Sequence, residues 1–317
     1  MEDIYYVIKN GFFGGEEGIP DVPTYPFPTY INRTRNMLEI GEMDDDKWGV
    51  FQKQQRANED RYQAKKIGPY RYYAIFDGHG GAQQMGYNHV GEYSVNNLHI
   101  RIAEKLIDVD LTNTIEVSEA IKQVFIDFDT EMYNLKMQYG TTCTILLIDD
   151  KNGYIYQINL GDSRSIIFRM EYPINMSTII SSTNDHEPEL IEENRRITNA
   201  GGWVINNRVL GQLMVSRSFG DFHLKRNKSI VYDPINGMVS SIPDIKILAF
   251  SPIYKYNAII TSDAPYERNA FDDNDLIIMS TTLYNERCLP YDILVEKMGE
   301  NIYPKTTDDT TIMYIEI

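Results

Sequence analysis

The chain has 317 residues, 42% of them hydrophobic, enough for a sizeable core in one large domain or two small ones. Acidic residues outnumber basic ones 46 to 30, and the net charge of −16 argues against a nucleic-acid partner. No apolar run is long enough to span a membrane, Met1-Glu2-Asp3 lacks the basic start of a secretion signal, and position 2 is not the glycine a myristoyl anchor needs. With only Cys143 and Cys288, no disulfide framework is available, so an intracellular protein, cytoplasmic or nuclear and not membrane-bound, is expected.

In chain order, residues 1–44 read as an extended arm, with Pro20, Pro23, Pro26 and Pro28 interleaved with Tyr25, Phe27 and Tyr30; residues 45–317 read as the main domain. The run Tyr72–Phe76 reads as a buried strand that ends abruptly in Asp77-Gly78-His79-Gly80-Gly81. Helical spacing of Val95, Leu98, Ile102 and Leu106 predicts a helix over 83–106, and that of Ile121, Val124, Phe125, Phe128 and Met132 predicts one over 116–137. Cys143 lies in the apolar strand Thr142–Leu147, where a buried, reduced thiol is expected. Tyr154–Ile158 and Ser165–Phe168 flank Gly161-Asp162 as the two strands of an expected hairpin. A helix is predicted over 189–199, with Pro188 at its start and Gly201 at its end. Many strands plus two long adjacent helices indicate a layered α/β domain with mostly antiparallel sheets.

Aspartates recur at the strand junctions. Asp60 follows a short strand and a basic stretch, Asp77 and Asp263 each end an apolar run, and Asp308 precedes the strand Thr311–Ile315. Strand ends distant in sequence can meet at one sheet edge, where four carboxylates repel unless cations neutralise them. Oxygen donors without a histidine or cysteine cluster select Mg or Mn over Zn.

From Trp48 to Ile317 the chain resembles the metal-dependent serine/threonine phosphatases of type 2C. The matching stretches, in family order, begin with Arg56-Ala57-Asn58-Glu59-Asp60, the Asp77–Gly81 turn, Gly140-Thr141-Thr142-Cys143 and Asn159–Arg164. They continue with Asp185-His186-Glu187-Pro188, Arg195-Arg196-Ile197, Ala200-Gly201-Gly202, Val215–Asp221, Pro243-Asp244, Ser262-Asp263 and Asp308-Asp309.

The resemblance implies two central antiparallel sheets with a helix pair outside each. It also implies hydrolysis of phosphoserine and phosphothreonine in phosphorylated protein substrates by a metal-bridging water. Two Mg or Mn ions would be held by Asp60, Asp77, Asp263, Asp308 and the backbone carbonyl of Gly78, with Glu59 holding a coordinated water. Asp162 and Glu267 would serve a third, weaker ion. His79 matches the general acid and Arg56 the phosphate binder. His186 and the stretch of Arg217, Asp221 and Lys225 match structural positions, and Arg164 is expected to pair with a carboxylate.

Three positions depart from the family pattern. Gln55 stands where the phosphate-binding arginine is usual, with Arg56 one place later. Ala264 replaces a glycine and Asp309 an asparagine. These departures support a rival reading, a pseudophosphatase that keeps the fold as a binding scaffold.

Overall fold

A strand buried at every residue needs cover on both faces, and Tyr70–Phe76 (β4) is such a strand. The structure, a computed structural model, describes residues 36–43, 47–53, 59–80, 88–171, 176–287 and 289–317. β4 lies within an antiparallel sheet of six strands, in the order β1 (Ile40–Glu42), β3 (Arg61–Ile67), β4, β7 (Cys143–Asp149), β8 (Tyr154–Leu160) and β14 (Asp244–Ala249). A second antiparallel sheet has five strands, in the order β10 (Met176–Ser182), β9 (Arg164–Glu171), β15 (Lys255–Thr261), β16 (Thr310–Glu316) and β2 (Trp48–Lys53).

Successive strand residues point to opposite faces, and the core divides accordingly. Tyr73, Ile75, Leu146 and Ile148 meet Ile167, Ala258, Ile260 and Met313 between the sheets. Their neighbours Tyr72, Ala74 and Phe76 face helices α1 (His89–Leu106) and α2 (Thr114–Asn134). On the far side, Ile166, Phe168, Ile259 and Tyr314 pack against α4 (Asp273–Arg287) and α5 (Tyr291–Ile302). The expected sandwich with a helix pair outside each sheet is what the chain forms. Among the described residues no helix is long and apolar enough to cross a membrane.

Local expectations fare unevenly. The hairpin around Gly161-Asp162 does not form: β8 pairs with β7 and β14, whereas β9 pairs with β10 and β15. The chain changes sheets there. Gly161 takes a φ of +117°, and a Cβ on it would lie 2.7 Å from Thr142, so the crossover requires glycine. α1 begins at His89, where extended Asn88 caps it by accepting the Gly91 N–H, and residues 83–87 of the predicted span lie outside the described residues. α2 stops at Asn134, and Lys136 beyond it has a φ of 56°. Residues 37–43, expected in the arm, instead supply β1, and Leu38 and Ile40 pack on the core. Residues 1–35 and 44 of the arm, and Cys288, lie outside the described residues.

Between β10 and β14 the chain builds a small appendage on the sandwich. α3 (Ile191–Asn199) and the ribbon β11 (Val204–Ile205) and β12 (Arg208–Val209) share an apolar centre of Ile197, Val209, Leu224 and Val239. One ionic tie joins the segment that follows to α2. Lys225 and Asp129 are both fully buried and paired, Asp129 also accepts from the Gly220 N–H and the Tyr232 hydroxyl, and Lys225 donates to the Ser218 carbonyl. Removing one partner of such a pair strands the other charge. Asp129→Ala should therefore lower unfolding stability by about 3–5 kcal/mol, measured by denaturant melting; a change below about 1 kcal/mol would mean that the tie behaves like an exposed pair.

Candidate active site

Four of the aspartates singled out by sequence stand at strand ends on the same end of the sandwich. Asp77 follows β4, Asp60 precedes β3, Asp263 follows Ser262 just beyond β15, and Asp308 lies just before β16. Asp162 sits on the crossover from β8 to β9. Both sheets thus feed one cleft of about 240 Å³, lined by Glu59, Asp77, Gly78, Asp162, Asp263 and Asp308, with His79 at its side. Asp60 lies beneath, 2% exposed.

Hydrogen bonds fix this arrangement from behind. The Asp77 N–H donates to Thr142 Oγ1 at 3.1 Å, and the Thr142 N–H returns a bond to the Asp77 carbonyl at 2.8 Å. Thr311 donates its hydroxyl to Asp60 at 2.7 Å. The Asp263 N–H lies 3.4 Å from Asp77 Oδ2, although 186 residues separate the two. Asp309, the departure beside Asp308, is buried and accepts the Glu59 N–H at 3.1 Å, so its extra carboxylate ties two of the acid-bearing segments together. Ala264 is fully buried at the start of a short 3-10 helix, where its methyl group is accommodated.

Burial and mutual repulsion dominate the electrostatics. Burial, then Asp60, Asp263, Asp162 and Asp308, push Asp77 well above the usual carboxylate range. Burial also raises Asp60, to about 7, against the Thr311 hydroxyl and with help from Asp309 and Asp308. Asp162 rises to about 6, through burial and then Asp185. Asp263 rises well above its ordinary value, through burial and then Asp162 and Asp308. Yet among the described residues no three His, Cys, Asp or Glu side chains are grouped closely enough to grip one ion. The acids share a cleft and a field rather than a preformed cage. An all-oxygen set with this much unneutralised repulsion fits hard divalent cations.

His79 is on the short strand β5 (Gly78–His79), which pairs with β6 (Gly140–Thr141); β6 pairs in turn with β13 (Phe219–Gly220). This ribbon sets His79 Nε2 2.7 Å from Asp221 Oδ2. Burial alone lowers the imidazole pKa; the Asp221 carboxylate overrides it, and His79 is raised above its ordinary value. A Cβ on Gly140, between the two strands, would fall 2.1 Å from Asp221 Oδ2 and 2.3 Å from His79 Nε2, so glycine is what lets the pair close.

Some expected residues stand elsewhere. Arg56, with Gln55, lies outside the described residues. Glu267 turns its carboxylate to Thr307, accepting from its N–H at 2.7 Å and from its hydroxyl, and so holds the loop before Asp308 rather than lining the cleft. Arg164 pairs with Asp185 and Asp273, His186 accepts the Gly161 N–H through Nδ1, and Arg217 pairs with Glu193 and Asp244. Asp221, expected to be structural, faces His79 instead.

Sequence patterns also missed Thr142 and Asn88. The Asn88 amide donates to the carbonyls of Gly140 at 2.7 Å and His79 at 3.1 Å. The helix predicted from 83 runs through Asn88, and the reach of its amide to residues 79 and 140 leaves no local pattern.

Acids delivered by two antiparallel sheets to one cleft, with helix pairs outside, define a four-layer α/β sandwich with an acidic site at its end. The protein phosphatase 2C family model matches residues 47–266. The integrin-linked kinase-associated serine/threonine phosphatase 2C of Mus musculus is 34% identical over 191 residues, 57% of this chain and 43% of that protein. The probable protein phosphatase 2C 32 of Oryza sativa subsp. japonica is 26% identical over 252 residues, 78% of this chain and 57% of that protein. The chain spans about half the length of these curated relatives. A phosphatase from a pathogenic strain of Toxoplasma gondii has the same fold, with a TM-score of 0.69 at 19% identity, covering 88% of this chain and 94% of that one. The chain belongs to the protein phosphatase 2C family.

Two outcomes follow from the electrostatics. Asp221→Asn and Gly140→Ala should each lower the His79 pKa, one by removing the charge and the other by parting the pair; NMR titration of the imidazole reads this, and an unchanged midpoint in both would refute the coupling. In metal-free protein, acids raised to about 6 and about 7 bind more protons folded than unfolded. Stability should then fall as pH rises from about 4 to about 7, and added Mg or Mn should restore it. A melting temperature that rises over that range would contradict the raised values.

Proposed function

We propose that this chain is a metal-dependent protein phosphatase that hydrolyses phosphoserine and phosphothreonine in protein substrates. The observation that carries the reading is the convergence of Asp60, Asp77, Asp162, Asp263 and Asp308 from both sheets on one cleft beside a histidine–carboxylate pair. Asp60, Asp77, Asp263, Asp308 and the Gly78 carbonyl are the residues to hold two Mg or Mn ions, with Asp162 available to a third. Bound there, the ions supply Lewis-acid polarisation of the phosphoryl group and activation of the attacking water.

The chain's own residues do the rest. Thr142 and Thr311 hold Asp77 and Asp60 in place. His79, whose pKa is raised by Asp221, stands at the cleft edge to give a proton to the departing seryl or threonyl oxygen. Arg56 is assigned to the phosphate on its sequence position, where a planar guanidinium can donate to two oxygens. Residues 37–317 are assigned to the catalytic domain and residues 1–36 to the arm.

The rival scaffold reading rests on the departures at Gln55, Ala264 and Asp309 and on the lack of any three acids already grouped among the described residues. Metal titration separates the two. A phosphothreonine peptide should be hydrolysed with Mn or Mg and spared with EDTA. Asp77→Asn and Asp263→Asn should each weaken Mn binding and lower turnover by about 10²-fold or more. The double variant should be little worse than the worse single one, since both disable one unit. Full activity after chelation, or normal Mn binding in both variants, would refute the proposal.

A further inference from the structure

A second cavity, of about 610 Å³, opens directly off the acidic cleft. The two share His79, Gly80, Arg208 and Leu213. Their chemistries differ. The cleft is walled by carboxylates, whereas the second cavity exposes mostly apolar surface, from Met137, Tyr139, Leu213 and Phe222 over Leu224, which is 2% exposed, within a polar rim of Gln138, Gln212, Asp221 and His223. Apolar side chains left partly open beside a charged site are the kind of surface that takes a ligand side chain.

The groove is built on fixed elements. Tyr139 and Asp221 both hold positive φ, 74° and 51°, and the Asp221 N–H donates to the Tyr139 carbonyl at 3.0 Å. Non-glycine residues keep such backbone only where the surroundings impose it. The Phe222 ring lies edge-on to Tyr133 and Tyr232, which stack with centroids 4.0 Å apart. Arg208, at the junction of the two cavities, is held by the Gln212 carbonyl at 2.7 Å.

We propose that this groove selects substrates by accepting an apolar side chain within two residues of the phosphoserine or phosphothreonine; the inference rests on the phosphatase reading above. An extended chain advances about 3.3–3.6 Å per residue, so a phosphoresidue seated in the cleft places its neighbours at the junction the cavities share. Burial of that side chain adds affinity only when the phosphate is seated, which makes the groove a specificity element rather than a separate docking site.

The test uses the full chain with Mn, para-nitrophenyl phosphate, and four phosphothreonine peptides that carry leucine, alanine, lysine or aspartate on both sides of the phosphoresidue. kcat/KM for the leucine peptide should exceed that for the alanine peptide by about tenfold or more. Met137→Ser should bring the ratio toward one. Gln138→Glu alters an exposed side chain on the groove rim, where folding is not at stake. It should favour a lysine-flanked peptide over an aspartate-flanked one by severalfold relative to the parent chain. Hydrolysis of para-nitrophenyl phosphate with equal rates on the two peptides, or ratios unmoved by both variants, would overturn the groove assignment alone. Absence of hydrolysis of para-nitrophenyl phosphate would overturn the phosphatase reading and the groove with it.

Discussion

Everything at the site follows from holding several carboxylates, each partly or wholly buried, at one end of a sandwich. Such a cluster opposes folding: its members lose water and repel one another, and the rise of Asp60 to about 7 registers that cost. The chain tolerates it because each acid sits where a rigid element ends and a neighbouring hydroxyl or N–H is aimed at its segment. Thr142 fixes the Asp77 segment, Thr311 bonds Asp60, and Asp309 receives Glu59. The interior between the sheets, by contrast, is apolar at its centre, with Tyr73, Ile75, Ile260 and Met313 there, and the buried polar Gln157 within it is satisfied across the sheets by Ser165. The stability that offsets the acids comes from there and from the two helix-covered faces.

The His79–Asp221 pair answers to a different constraint. It depends on close backbone approach in the ribbon of β5, β6 and β13, with Gly140 leaving the space. Asp129 and Lys225 anchor the outer strand of that ribbon to α2. A buried charge pair remote from the acids therefore helps to aim the histidine's partner, and the pair and the acid cluster meet only at the cleft edge.

Much of this was legible in sequence, for identifiable reasons. Strand runs that end in aspartate marked Asp77 and Asp263, because a buried strand is continuous in hydrophobicity and its end is abrupt. Helices α1 and α2 followed from the spacing of Leu98, Ile102, Phe125 and Phe128. The hairpin around Gly161 was misread because a glycine-aspartate turn between two apolar runs looks alike whether the strands pair or part. Only the rest of each sheet decides. Asp221 and Thr142 were missed as site residues because their partners are 142 and 65 residues away, beyond any local pattern. Glu267 was placed by its match to a family position, and that match does not say that Thr307 binds its oxygens.

The sheet change at Gly161-Asp162 has a kinetic consequence. Because β8 and β9 part company, the chain forgoes the fast local closure that a hairpin offers. Instead, the elements around the cleft are joined over long loops: Thr311 reaches Asp60 across 251 residues, and Asp309 reaches Glu59 across 250. High contact order slows folding, since loop entropy is lost before the contacts repay it. The contacts that gather the acids are therefore among the most non-local in the fold, and their loop entropy is part of what closing the two sheets must offset.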